Sequence, residues 1–354
     1  MGRHRGHRVV WTVGIGLAAL ILLELAGRWA GMPALPPDPA FVVAREWCYP
    51  DQVDKDRDLL WRYRPDQIIR GGFVPPYVYT INAHGFRTPD FAAVKPEGTQ
   101  RVVCLGGSTT FGWGVSDGTA YPRQLETKLN ELDLEGRHWE VINLGMSNYS
   151  TWQGLRLARQ VLPELDPDVV FINFSWADHQ PASQGVADAD IEMPAAGWLR
   201  FESTLNRSAL ARWTRRLWRL AFSVGPQVSG GVTAWRVSPA QFASNVESIC
   251  WVARQAGARA VVVTSPISTP PRGYSDAEGI FHYHHQYRRM ARYAATMGGG
   301  EFIEMANAFD AHPEFFGSPP DDFEHFSAQG HVFAGEFLAR FLLGRLREQP
   351  QTTP

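Results

Sequence analysis

The sequence predicts an α/β protein: a five-stranded parallel sheet between two helical layers (α/β/α), preceded by one transmembrane helix. Three observations carry this expectation. From Arg101 onward, short continuous apolar runs alternate with segments of helical period, as a parallel sheet covered on both faces requires. Chemically capable residues cluster directly after those runs, where parallel strands present their carboxyl ends to ligands. At the start of the chain, arginines precede a long apolar stretch.

That stretch, Val9 to Ala26, is interrupted only by Thr12 and Glu24. As a helix it spans about 27 Å, close to the hydrocarbon thickness of a bilayer. Arg3, Arg5 and Arg8 hold its start in the cytoplasm, so the chain after Arg28 lies outside. A cleaved signal peptide is the competing reading. Glu24-Leu25-Ala26 and Ala26-Gly27-Arg28 both fail the small-x-small cleavage pattern, which favours an uncleaved anchor.

Four segments are expected: a basic flank and anchor over 1–30, an extension over 31–97, the main domain over 98–347, and a disordered tail over 348–354. In the extension, residues 32–40 read as a stiff proline-rich linker. Pro75-Pro76 and the segment Tyr77 to Arg87 read as a short strand and a turn.

In the main domain the strands are expected at Val102–Leu105, Trp139–Leu144, Val169–Phe174, Ala258–Thr264 and Glu301–Met305. Between them lie helices opened by Pro122, with Leu125, Leu129 and Leu132 on one face, and then Thr151–Leu162, Pro239–Gln255 and Tyr283–Met297. A final amphipathic helix runs from Ala328 to Arg347. An insertion around 181–236 breaks the rhythm and contains the basic, aromatic stretch 211–222. That stretch reads as a helix with Trp213, Leu217 and Leu220 packed inward, in preference to one that touches anionic lipid.

Composition narrows the function. A chain of 354 residues, 44% of them hydrophobic, can bury a large core, and its formal net charge of -2 gives no reason to expect nucleic acid. Its three cysteines make no disulfide framework; Cys104 and Cys250 fall in core patterns. Histidines 282, 284 and 285 are too awkwardly spaced on one helix to converge on a metal, and Gly298 to Gly300 precede a strand, so they do not form a phosphate loop. No cofactor is expected, and no Gly-x-Ser-x-Gly elbow occurs.

Ser108 follows the first strand, Gly145 the second and Asp178 the third, while Asp322 and His325 sit between the fifth strand and the last helix. A serine needs a base to become a nucleophile, and the base needs a carboxylate to hold its tautomer. These residues therefore point to acyl-transfer chemistry at one sheet edge.

In this order, Gly106-Gly107-Ser108-Thr109, Asn143-x-Gly145 and Asp322-x-x-His325 followed by Ser327-Ala-Gln-Gly330 resemble the blocks of the SGNH/GDSL hydrolase family, over residues 98–346. The resemblance implies a flavodoxin-like three-layer fold, Ser108 as nucleophile and His325 as base oriented by Asp322. It also implies an oxyanion hole from the backbone N–H groups of Ser108 and Gly145. Two positions depart from the family pattern: Gly107 replaces its acidic residue, and Ser175-Trp-Ala-Asp178 replaces Gly-x-Asn-Asp. Ala177 thus lacks the asparagine donor, for which the Trp176 indole or His179 is the expected substitute. Asp178 is expected to fix its loop by hydrogen bonds. The segment Asn82 to Arg87 resembles one upstream in membrane-anchored members and reads as a turn.

The resulting expectation is a membrane-anchored, extracytoplasmic serine ester hydrolase acting on an acylated glycan or lipid. The alternatives are an O-acyltransferase of a surface polysaccharide and a non-catalytic glycan-binding relative.

Overall fold

The computed structural model describes residues 3–30, 52–70, 77–182, 185–211, 213–214, 217, 234–268, 280–317, 322 and 324–348. In chain order the strands are β1 (Val53–Asp56), β2 (Leu60–Tyr63), β3 (Gln67–Arg70), β4 (Val78–Ile81), β5 (Thr99–Gly106), β6 (His138–Gly145), β7 (Val169–Asn173), β8 (Arg259–Val263) and β9 (Glu301–Ile303). The helices are α1 (Arg3–Trp29), α2 (Ser108–Phe111), α3 (Tyr121–Leu132), α4 (Thr151–Leu165), α5 (Ala196–Asn206), α6 (Pro239–Gln255), α7 (Ile280–Met297), α8 (Ala306–Phe309) and α9 (Ala328–Glu348). Two compact units result: Met1–Arg57 with Met193–Ser229, and Asp58–Glu192 with Gly230–Pro354.

The larger unit contains the expected five-stranded parallel sheet, in the order β6-β5-β7-β8-β9. Its central strands are buried on both faces, which is why they read as unbroken apolar runs. Val102 and Cys104 of β5 join one core with Val141, Phe171 and Val261, covered by Leu125 and Leu129 of α3 and Leu338 and Leu342 of α9. Val103 and Leu105 alternate to the opposite face, the side on which α4, α6 and α7 lie against the sheet and one another. Helix starts follow local chemistry. Ser150 and Gln153 form a capping box at α4, and the Ser238 side chain accepts from Gln241 N ahead of Pro239 at α6. Cys104 and Cys250 are both fully buried.

From β5 the chain steps to β6 on one side and then returns to β7 on the other. The strand order reverses at β5, so the crevice opens at its carboxyl end. There Gly106 pairs in register with Gly145 and with Asn173. Neither glycine tolerates a side chain. A Cβ on Gly106 would lie 2.1 Å from Thr110 Oγ1 and 2.5 Å from Asn173 O, and one on Gly145 would lie 2.2 Å from Phe111 N. The missing side chains let α2 settle directly on the strand ends.

A second device holds α2 from outside. Asn82 Oδ1 accepts from the backbone N–H groups of His84 and Phe86, each at 3.0 Å, closing a tight loop whose Gly85 has φ +83°. The loop delivers Arg87 into the interior, where it is 5% exposed. Its guanidinium donates to the carbonyls of Phe111 (3.0 Å), Gly112 and Val115 (2.7 Å) and to Asp117 Oδ1 (3.0 Å). It also stacks 4.4 Å above the Tyr79 ring. The segment expected to be a simple turn is therefore a clamp on the chain leaving α2.

In the smaller unit, α1 includes Trp11–Trp29, long and apolar enough to cross a membrane and almost wholly exposed. Its one interior acid has partners. Glu24 Oε2 accepts from Ser208 Oγ (2.8 Å) and Leu210 N (2.9 Å), and Oε1 accepts from Ala209 N (3.0 Å) and Arg28 Nε (2.8 Å). The carboxylate thus sits on the unpaired N–H groups at the start of the helical turn 209–211. Trp213 and Leu217 are 46% and 49% exposed, correcting the expectation that they pack inward. The 32–40 linker, Pro75-Pro76, Leu220 and the 349–354 end of the tail lie outside the described residues.

Replacing Arg87 by Met strands three buried carbonyls that now bond a charged donor. It should destabilise the protein by at least about 2 kcal/mol. Urea unfolding would read this as a lower midpoint at unchanged slope; an unaltered midpoint would contradict the clamp.

Candidate active site

Ser108 is the first residue of α2, at the carboxyl end of β5. Its Oγ donates to Glu324 Oε1 at 2.9 Å. His325 Nε2 lies 3.7 Å from the same oxygen, Glu324 Oε1, and has no hydrogen-bond partner among the described residues. The other ring nitrogen, His325 Nδ1, faces Asp322 at 2.9 Å to Oδ2 and 3.1 Å to Oδ1. Asp322 Oδ1 also accepts the backbone N–H groups of Glu324 (3.2 Å) and His325 (2.9 Å). Spacing three residues apart thus lets one carboxylate hold both the loop and the ring.

The loop is fastened at both sides. Gly317 N donates to His325 O at 2.7 Å and Ser327 N to Phe315 O at 2.9 Å. The Ser327 hydroxyl accepts from Gly330 N at 3.2 Å as α9 begins.

Ser108, Asp322 and His325, distant in sequence, are therefore gathered in one cluster, with Glu324 Oε1 facing both the serine and the imidazole. Sequence reasoning passed over this residue. The available signal was an acid immediately before the histidine in Asp322-Phe-Glu-His325.

Burial raises the Glu324 carboxyl to about 7. Burial alone would lower His325, but the Glu324 and Asp322 carboxylates outweigh it and raise the imidazole above its ordinary value. Burial likewise opposes ionisation of Asp322, yet the bond from His325 and the backbone N–H groups hold it below the usual range. Trp113 lies beside the imidazole, ring centres 6.1 Å apart. Behind it, His331 accepts Tyr121 N on Nδ1 at 3.1 Å, and burial lowers it to about 3, so it stays neutral.

The expected oxyanion donors fare unequally. Ser108 N opens α2, where first-turn N–H groups have no intrahelical partner. The Gly145 N–H donates to Asn143 Oδ1 at 2.8 Å. What the position demands of glycine is the close approach of α2.

Ala177 is buried and carries no donor. His179 is also buried, and its Nε2 faces His284 Nδ1 at 3.1 Å, while His284 Nε2 faces Ser265 O at 2.9 Å. Trp176 is half-buried and meets the His179 ring edge-on at 5.0 Å.

Asp178 Oδ1 accepts both the N–H and the hydroxyl of Thr151, tying the third loop to the start of α4. His284 turns inward while His282 and His285 are exposed, so the three rings do not converge.

A comparison with curated proteins finds no match. Solved structures aligned with the chain include a lipase/acylhydrolase from Enterococcus faecalis (18% identity, 70% of this chain and 96% of that one, TM-score 0.44). TesA aligns at 16% identity (69% and 99%, TM-score 0.43). LAE5, described as an alpha/beta hydrolase enzyme from the metagenome of Lake Arreo, Spain, aligns at 17% (69% and 96%, TM-score 0.45). The family profile of the GDSL-like Lipase/Acylhydrolase family matches residues 104–333, from the strand before Ser108 to the helix after His325. That span covers well over half of the sequence, and the chain belongs to the GDSL-like lipase/acylhydrolase family of ester-hydrolysing enzymes.

Proposed function

We propose that the protein is a membrane-anchored, extracytoplasmic serine ester hydrolase in which Ser108 is the nucleophile and His325, oriented by Asp322, supplies acid–base chemistry. The observation that carries this reading is the connected line Ser108–Glu324–His325–Asp322 at the carboxyl end of β5. Ser108 Oγ attacks an ester carbonyl, and its proton passes into the carboxylate–imidazole group beside it. The Ser108 N–H meets the developing oxyanion. The leaving alcohol departs with a proton from the imidazole, and water then releases the acyl group.

Anchoring is supported by Glu24. An ionisable residue in a membrane helix is expensive unless it is partnered. This one holds Ser208, Ala209 and Leu210, residues of the mature chain that a cleaved leader would abandon. The arginine-flanked start then leaves the catalytic unit outside the cytoplasm. Esters in that location are acyl groups on lipids and surface glycans, and an acylated glycan or lipid is the proposed substrate class.

Three measurements test this reading. A fluorophosphonate probe should label Ser108 in the folded protein and lose that label in His325→Ala; no labelling of the wild type would remove the hydrolase reading. Losing one oxyanion donor typically lowers a rate about 10²–10³-fold. If Trp176 substitutes for the missing amide, Ala177→Asn should change the esterase rate by less than about tenfold, and a hundredfold rise would refute that. Mass spectrometry of the protein from the membrane fraction should recover peptides from residues 3–29; a soluble mature chain beginning beyond Ala26 would exclude the anchor.

A further inference from the structure

We propose that Glu324 is a catalytic residue: it takes the Ser108 proton, while the protonated His325 donates to the leaving alcohol. The proposal rests on the serine hydrolase reading above and divides its acid–base work between two side chains.

The geometry carries it. The Ser108 hydroxyl already donates to Glu324 Oε1 at 2.9 Å, whereas His325 Nε2 has no hydrogen-bond partner among the described residues. The same oxygen stands 3.7 Å from Nε2. The hydroxyl proton that nucleophilic attack must release therefore already points at a carboxylate oxygen. Carboxylate and imidazole are adjacent residues of a loop pinned through Asp322 and Gly317.

The proton balance closes over a full cycle. The competent resting form is Glu324 carboxylate beside His325 imidazolium. As Ser108 Oγ bonds to the ester carbon, its proton goes to Glu324 Oε1 and the carbonyl electron pair moves to oxygen. Collapse of that intermediate breaks the bond to the alcohol oxygen, which takes the Nε2 proton. The acyl-enzyme then faces a neutral imidazole and a protonated Glu324. Water attacks and loses its proton to Nε2, and the serine oxygen leaves with the proton held by Glu324. The resting form is restored with no external donor.

The ionisable groups around the pair bias it toward this form. Asp322 faces Nδ1 and favours the imidazolium. His331, on α9 behind the site, is held neutral by burial and by the nearby Arg87 guanidinium and His325. Ser108 contributes its hydrogen bond from α2, and Trp113 presents a ring carrying no charge. Glu324 and His325 therefore titrate as a coupled pair. Below the acidic limb the carboxylate is protonated and cannot accept from serine. Above the alkaline limb the imidazole is neutral and cannot protonate a leaving group.

The test compares two esters over pH, using the full-length protein in detergent. For ethyl butyrate, whose alcohol needs a proton to leave, kcat/KM should rise and then fall. For p-nitrophenyl butyrate, whose phenolate leaves unaided, the alkaline fall should disappear. Glu324→Gln, matched in shape but unable to take a proton, should lower kcat/KM on the order of 10²-fold and convert both profiles to one rise and a plateau.

Identical plateau profiles for the two esters in the wild type would overturn the proposal, even if the variant fails to fold. So would a Glu324→Gln variant that keeps the wild-type rate and profile, or a Glu324→Ala variant that is faster. Ser108 labelling by the fluorophosphonate together with such plateaus would leave the hydrolase reading standing and remove only the role of Glu324. Absence of both labelling and hydrolysis would remove both.

Discussion

The contact on which the site depends is between α2 and the ends of β5 and β6. Gly106 and Gly145 carry no side chain: a Cβ on Gly106 would lie 2.1 Å from the Thr110 side chain of α2, and one on Gly145 2.2 Å from the α2 backbone at Phe111 N. Arg87 closes the other side by bonding the carbonyls of Phe111, Gly112 and Val115. Ser108 is thus fixed at the mouth of the crevice by a missing volume beneath it and a buried cation beside it. The proposed nucleophile needs this precision, since catalysis by positioning fails with displacements on the order of 1 Å.

Burial then sets the chemistry. Two carboxylates and an imidazole share a site largely withdrawn from water, and their fates diverge by hydrogen bonding. Asp322 receives the His325 ring and two backbone N–H groups, which keep it ionised. Among the described residues Glu324 receives only the Ser108 hydroxyl, and burial dominates and brings it to about 7. Environments that push neighbouring groups apart in this way assign acid and base roles. Ala177 presents no side-chain donor, and the Gly145 N–H donates to Asn143 Oδ1, so in the proposed reaction the start of α2 meets the developing negative charge.

The smaller unit follows a related rule. Glu24 within the apolar helix is satisfied by the start of the turn at Ala209, as unpaired N–H groups and a carboxylate complement each other. The sequence reading noted Glu24 only as an interruption, because its partners lie in an insertion far along the chain.

Pattern in the sequence determined the fold. The strands lie where the apolar runs are, and α6 spans Pro239–Gln255 as its proline start and period dictate. Such local rules depend on neighbours a few residues away, and hydrophobic burial enforces them. The positions of Ser108, Asp322 and His325 at strand ends were legible for the same reason, since topology carries those ends to one edge. The bond from Ser108 to Glu324 was not, because whether an acid next to a histidine points to solvent or to a serine depends on loop geometry. Nor was the clamp of Arg87, whose partners are backbone carbonyls that no residue type reveals. Nor were the close approach of α2 to Gly145 and the bond from its N–H to Asn143 Oδ1. The sequence by itself determined which groups meet at the sheet edge. Only the tertiary structure decided which hydrogen bonds they make, because those depend on distances of a few tenths of an ångström between segments remote in the chain.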